Sequence, residues 1–146
     1  MTFLLDINVL IALFDPSHVA HDIAHDWFHS LGSDSWATCP LTENGVVRIL
    51  SQSNYPNSPG PPSAVALLVS QLRGLPGHQF WADDVSLLDE SLVDSTRLLT
   101  PGQITDTYLL ALAKFHNGQL ATLDRRLSAA AVKNGKAALH IIAGNQ

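Results

Sequence analysis

Strand-like and helix-like segments alternate along this 146-residue chain, and the alternation predicts an α/β domain with a mostly parallel central sheet flanked by helices. Two further observations support that class. Short apolar runs end on a carboxylate at Phe3-Leu4-Leu5-Asp6 and again at Gln119–Leu123 before Asp124. Helix-like segments carry an acid near their N-termini at Glu43 and Asp106. Strand C-termini and helix N-termini share one edge of an open sheet, which is where such folds place their sites. A single domain over 1–146 is expected, and 46% hydrophobic residues suffice for one core.

Taken in order, residues 3–5 make the first strand. Asn8 either caps a helix over 9–14 or hydrogen-bonds Asp6, and Asp15-Pro16-Ser17 breaks that helix. His18, His21, His25 and His29 then follow at spacings of 3, 4 and 4 and share one face of the next helix. Histidines so spaced can bind zinc. The apolar stripe of Val19, Ile23, Ala24, Trp27, Phe28 and Leu31 centres opposite them, so a solvated histidine face is the expectation. Residues 32–34 turn the chain into a second strand at 35–39, ended by Pro40. A helix to Leu50 follows, with Leu41, Val46, Val47 and Leu50 inward. Arg48 lies a turn or more below Glu43, placed to pair with it or to touch a phosphate.

Residues 54–62 (NYPNSPGPP) form a loop between helices. Ser63 is the expected cap of the next helix and Gly74 its end. A short strand is expected around Phe80-Trp81. Asp83 and Asp84 then open a segment whose Leu87, Leu88, Leu92, Val93, Leu98 and Leu99 fit a helical face. From Ile104, a helix capped by Thr105 buries Ile104, Tyr108, Ala111, Leu112 and Phe115, and places Asp106 in the first turn, where the helix dipole favours a negative charge. Asn117-Gly118 is a stop signal. A buried strand delivers Asp124, a helix runs from Arg125 to about Lys133, Asn134-Gly135 turns the chain, and 138–142 is the last strand.

No apolar run reaches the ~20 residues of a membrane span. The N-terminal stretch lacks a leading Lys or Arg and is interrupted by Asp6, unlike a signal peptide. The single cysteine, Cys39, excludes an internal disulfide framework, fits a small buried hydrophobe, and agrees with a reducing cytoplasm. The formal net charge of -5 argues against a nucleic-acid partner, although five of the eight basic residues follow Asp106.

Asp6, Glu43, Asp106 and Asp124 are thus expected at one edge. Clustered carboxylates either share a proton or bind a hard cation such as Mg²⁺ or Mn²⁺. With no histidine or cysteine among them, Zn²⁺ is disfavoured. A carboxylate-held Mg²⁺ suits phosphoryl chemistry. The stretch from Ile104 forms a site with Asp6 only if the first strand lies close to the strand before Asp124.

The order DxN after the first strand, Glu43 opening a helix after Pro40, and the strings TDTYLLALA and LATLD resemble the PIN-domain ribonucleases, specifically VapC-type toxins, over essentially the full length. The resemblance implies a three-layer α/β domain and Mg²⁺- or Mn²⁺-dependent endoribonuclease activity. It also implies a VapB-like antitoxin partner and a homodimer. The family's acidic quartet falls on Asp6, Glu43, Asp106 and Asp124. Asp6, Asp106 and Asp124 would ligate the metal, and Glu43 would ligate or orient the attacking water. Asn8, Thr105 and Thr122 would support them. Arg125, Arg126 and Arg48 are the expected RNA phosphate contacts. Three rivals stand beside this reading. A phospho-receiver domain needs an acidic pair after the first strand, where only Asp6 stands. A non-catalytic RNA- or protein-binding module on the same scaffold would bind without cutting. A phosphomonoesterase would leave RNA intact.

Overall fold

The computed structural model describes residues 1–32 and 34–143, so Ser33 within the expected turn, and 144–146, lie outside the described residues. Five strands, β1 (Thr2–Leu5), β2 (Ser35–Thr38), β3 (His78–Phe80), β4 (Gln119–Thr122) and β5 (Leu139–Ile141), form one sheet in the order β3-β2-β1-β4-β5. Every pairing is parallel. β1 is central and pairs directly with β4, Leu5 standing opposite Ala121. The adjacency that the carboxylate site requires is therefore present.

Strand alternation divides the core between the two faces. Leu4, Ala37 and Leu120 pack against α5 (Ile104–Phe115). Leu5, Trp36 and Ala121 pack on the other face, against α1 (Ile7–Phe14), α2 (His21–Ser30), α3 (Pro40–Leu50) and α4 (Pro62–Arg73). This is the expected three-layer arrangement. The 54–60 loop is tied to the end of α1, where the buried Asp15 accepts hydrogen bonds from Tyr55 (2.5 Å) and Asn57 (2.8 Å).

Several expectations are corrected. The cap of α1 is Asp6, whose carboxylate accepts from the Ile7 amide at 2.7 Å, while Asn8 lies inside the helix. The histidine face is not simply solvated. Helix α2 begins only at His21, leaving Val19 96% exposed instead of buried. Ring N–H groups of His21 and His25 donate to the carbonyls of Ala12 (2.7 Å) and Leu13 (3.1 Å). Those carbonyls belong to the last turn of α1 and lack intrahelical partners. Ser63 does not cap α4, which starts at Pro62 with no side-chain cap. Thr105 does not cap α5 either. A 3₁₀ turn at Pro101–Gln103 runs straight into that helix, and Thr105 is exposed within its first turn.

The buried face of α5 is Thr107 and Leu109–Ala113, wider than the predicted stripe, and Ile104 and Phe115 are outside it. Two predicted helices are absent. The segment after Asp84 and the segment after Arg125 instead join each other through an antiparallel bridge, Val93 to Val132. The Asp94 amide donates to Ala131 (2.8 Å) and the Lys133 amide to Leu92 (3.0 Å). Leu87, Leu92 and Leu98 still face the core, against the α5 side. Leu88 and Leu99 of the expected face are instead exposed, at 85% and 79%, so the spacing recorded burial only in part and helicity not at all.

Candidate active site

The chain leaves β1 and β4 in opposite directions across the sheet, since β1 is followed by β2 on one side and β4 by β5 on the other. A crevice opens where strand order reverses in this way. Asp6 follows β1 directly, Asp124 follows β4 by two residues, and Asp106 stands in the first turn of α5, the helix that feeds β4.

Asp6 is 5% exposed. Burial, and then the neighbouring carboxylates of Asp106 and Asp124, push it up to about 6 against the pull of two hydrogen bonds. Asp106 is raised as well, by burial and by Asp124. The three aspartates are therefore within electrostatic reach of one another. Among the described residues, however, no three His, Cys, Asp or Glu side chains are already gathered as a closed ligand set. Both observations hold, because charge repulsion acts over distances longer than a coordination bond.

The buried Thr122 hydroxyl orders this group. It donates to Asp6 Oδ2 (2.7 Å) and accepts from Asn8 Nδ2 (3.1 Å) and from the Asp124 amide (3.1 Å). Asn8 Oδ1 accepts from the Leu123 amide at 3.2 Å. Asn8 thus staples α1 to the end of β4 and does not bond Asp6 itself. Asp124 accepts from the Arg126 amide (2.9 Å), which leaves the Arg125 and Arg126 side chains exposed just past the carboxylate.

Glu43 sits in the first turn of α3, as expected, but in a separate network. Thr38 donates to its Oε2 at 2.6 Å, and Arg73 reaches Oε1 at 3.4 Å. His78 lies 2.8 Å from the Thr38 hydroxyl. With that hydroxyl proton directed at Glu43, the His78 ring supplies an N–H to Thr38. Burial and the nearby Arg73 hold His78 below the usual imidazole value. Glu43 is not among the groups that raise the pKa of Asp6 or Asp106. The cation at Glu43 is accordingly Arg73 and not Arg48, which is exposed in the last turn of α3. Thr38, Arg73 and His78 escaped the sequence reading because each lies in a different element. The one usable signal was a threonine at the strand end, the position Thr122 also occupies.

Asp83 and Asp84 open no helix. Asp84 pairs with His116 at 3.2 Å and His116 stacks on Trp81 at 4.3 Å, so this acid braces the far end of α5.

A parallel five-stranded sheet with three aspartates gathered at its switch point is the architecture of a PIN domain. The PIN domain family model matches residues 3–133, and the chain belongs to that family. Within it the chain groups with VapC-type ribonucleases. It is 42% identical to Ribonuclease VapC44 of Mycobacterium tuberculosis over 132 residues, 90% of this chain and 92% of that one. It is 41% identical to Ribonuclease VapC39 of the same organism over 128 residues, covering 88% and 92%. It is 43% identical to Ribonuclease VapC29 over 130 residues, covering 88% and 90%.

Proposed function

We propose that this chain is a divalent-cation-dependent endoribonuclease, the toxin of a toxin–antitoxin pair, hydrolysing RNA phosphodiesters. The observation that carries this reading is the aspartate trio at the switch point of a chain more than 40% identical to proteins named ribonucleases. The donor set fits a hard cation, being all carboxylate oxygen. Asp6, Asp106 and Asp124 would hold Mg²⁺, with Mn²⁺ able to replace it, and would draw inward to do so. When bound, such a cation neutralises the carboxylates, polarises a phosphate and lowers the pKa of water.

The chain's own groups supply the positioning. Thr122 and Asn8 fix Asp6 and Asp124. Glu43, held by Thr38, orients the water that attacks in line. Arg125 and Arg126 contact phosphates and set the strand in register. A VapB-like antitoxin would lay an amphipathic element into the apolar groove of about 620 Å³ between α1, α2 and α4, lined by Phe14, Phe28, Trp36, Leu68 and Leu72. That groove lies one α1 length, about 12 Å, from Asp6, so an antitoxin that also covered the acids would extend along α1. The protein would act in the cytoplasm as a homodimer, and no described helix is long and apolar enough to cross a membrane.

The test is cleavage of RNA by antitoxin-free protein in Mg²⁺. Cleavage is expected to vanish with EDTA and to fall by at least a hundredfold in Asp6→Asn and Asp106→Asn. Unchanged cleavage in both variants removes these residues from the reaction.

A further inference from the structure

We propose that Arg73 and Phe80 form a binding element for single-stranded RNA beside the carboxylates, Phe80 stacking a base while the Arg73 guanidinium leaves Glu43 for the adjoining backbone phosphate. The inference rests on the ribonuclease reading and adds to it where the substrate strand runs.

Phe80 is the last residue of β3 and stands opposite Thr38, the last residue of β2. It therefore lies at the same sheet edge as Glu43, on a strand with no outer neighbour. Phe80 is 48% exposed, at a position where a parallel strand ordinarily buries an apolar side chain. The Arg73 guanidinium lies 5.0 Å from the ring centroid, and its own side chain is 42% exposed. Among the described residues its one hydrogen bond is the long contact to Glu43 at 3.4 Å.

A guanidinium has five donors in a planar fork that matches two phosphate oxygens. Exchanging one long carboxylate contact for a bidentate phosphate improves its pairing. Glu43 is not stranded by the exchange, because Thr38 still holds its other oxygen at 2.6 Å. The exposed ring offers a base a π face, and such stacking tolerates any base.

Placement supports the same conclusion. In a chain of net charge -5 a polyanion needs local cations. Arg73 supplies one beside β3, and Arg125 and Arg126 supply two just past β4. Three strand spacings, roughly 14 Å, separate those flanks. Asp6, at the end of β1, lies between them. A short single strand crossing the edge from β3 to β4 would pass over the aspartates.

The experiment measures binding of a fluorescent single-stranded RNA by anisotropy, at several salt concentrations, in an Asp106→Asn background that does not cut it. Phe80→Ala is expected to weaken binding roughly tenfold, and Phe80→Trp to restore it. Arg73→Ala is expected to weaken binding and to lower the slope of log affinity against log salt by about 0.7, one phosphate contact. Arg73→Lys should retain most of that slope. A purely structural role at Glu43 would leave the slope unchanged. Affinity and slope unaltered in Phe80→Ala and Arg73→Ala overturn this proposal alone. A parent protein that binds no RNA overturns it together with the ribonuclease reading.

Discussion

Thr122 and Thr107 are both buried, yet the same substitution should move the protein in opposite directions. The Thr122 hydroxyl takes part in hydrogen bonds with Asp6, Asn8 and the Asp124 amide. Thr122→Val keeps the shape, removes those bonds and strands a buried carboxylate oxygen, at a cost of roughly 1–3 kcal/mol. The Thr107 hydroxyl is buried without a partner among the described residues, so Thr107→Val removes an uncompensated desolvation and should stabilise by about 1 kcal/mol. Urea denaturation of the two variants decides the matter, and equal shifts would contradict the hydrogen-bond assignment. Asp6 adds a pH dependence. Its pKa rises on folding from 3.8 to about 6, so the folded state favours its protonated form. The resulting stabilisation is complete below pH 3.8 and is lost as pH rises through about 6. Cation-free protein should thus lose roughly 3 kcal/mol from this one group between pH 4 and pH 7. Asp6→Asn should abolish that loss, raising stability at pH 7 while removing cleavage. Thermal melts of both proteins across this range in EDTA are the check, and parallel pH profiles would contradict the raised pKa.

At the scale of the element, the α5–β4 unit depends on two turn residues with separate tasks. Asn117 adopts the left-handed conformation (φ 57°), and the Gly118 amide closes the helix end on the Ala113 carbonyl at 2.9 Å. Gly118 is needed for space instead. A Cβ there would lie 2.4 Å from the Thr2 carbonyl oxygen and 2.9 Å from the Trp81 ring. Gly118→Ala must therefore push β4 from β1 and is expected to cost at least about 2 kcal/mol, whereas Asn117→Gly should be nearly neutral. Chemical denaturation distinguishes them, and a neutral Gly118→Ala would mean that the β1 backbone yields freely. This unit was legible in the sequence because its signals are local: a helical period, a stop dipeptide and a short apolar run. The segments around Leu87–Leu99 and Arg125–Lys133 misled for the converse reason. Each has a helix-compatible pattern, but each satisfies its backbone against the other through Val93 and Val132, a long-range choice invisible to periodicity. Of the α2 histidines, His25 and His29 are exposed as the periodicity implies, whereas the bonds of His21 and His25 to α1 carbonyls lie beyond it. The edge positions of all four acids were legible, whereas the division into an aspartate trio and a Glu43–Thr38–His78–Arg73 network was not. That division depends on partners 30 or more residues apart, such as Arg73 and Glu43.

For the whole molecule, the strand order makes the site a property of topology. No local segment contains it, because Asp6 and Asp124 meet only when β4 inserts beside β1. The same insertion brings Leu4 and Leu5 against Leu120 and Ala121, two fully buried pairs. Core formation thus drives together carboxylates that repel, and the apolar sheet centre bears the cost of the charged edge. A ligand that binds the assembled trio and not the unfolded chain must then stabilise the entire fold by mass action. Mn²⁺ or Mg²⁺ at a hundred times its dissociation constant should contribute about 2.7 kcal/mol to the stability of the native chain. The gain should grow as pH rises from 5 to 7, because protons on Asp6 compete with the cation below about 6. It should be largely lost in Asp106→Asn, and retained in Glu43→Gln because Glu43 belongs to the neighbouring network. Thermal denaturation with and without EDTA provides the measurement for all three proteins. A cation shift that persists in Asp106→Asn would place the ion elsewhere, and one lost equally in Glu43→Gln would draw Glu43 into the ligand set.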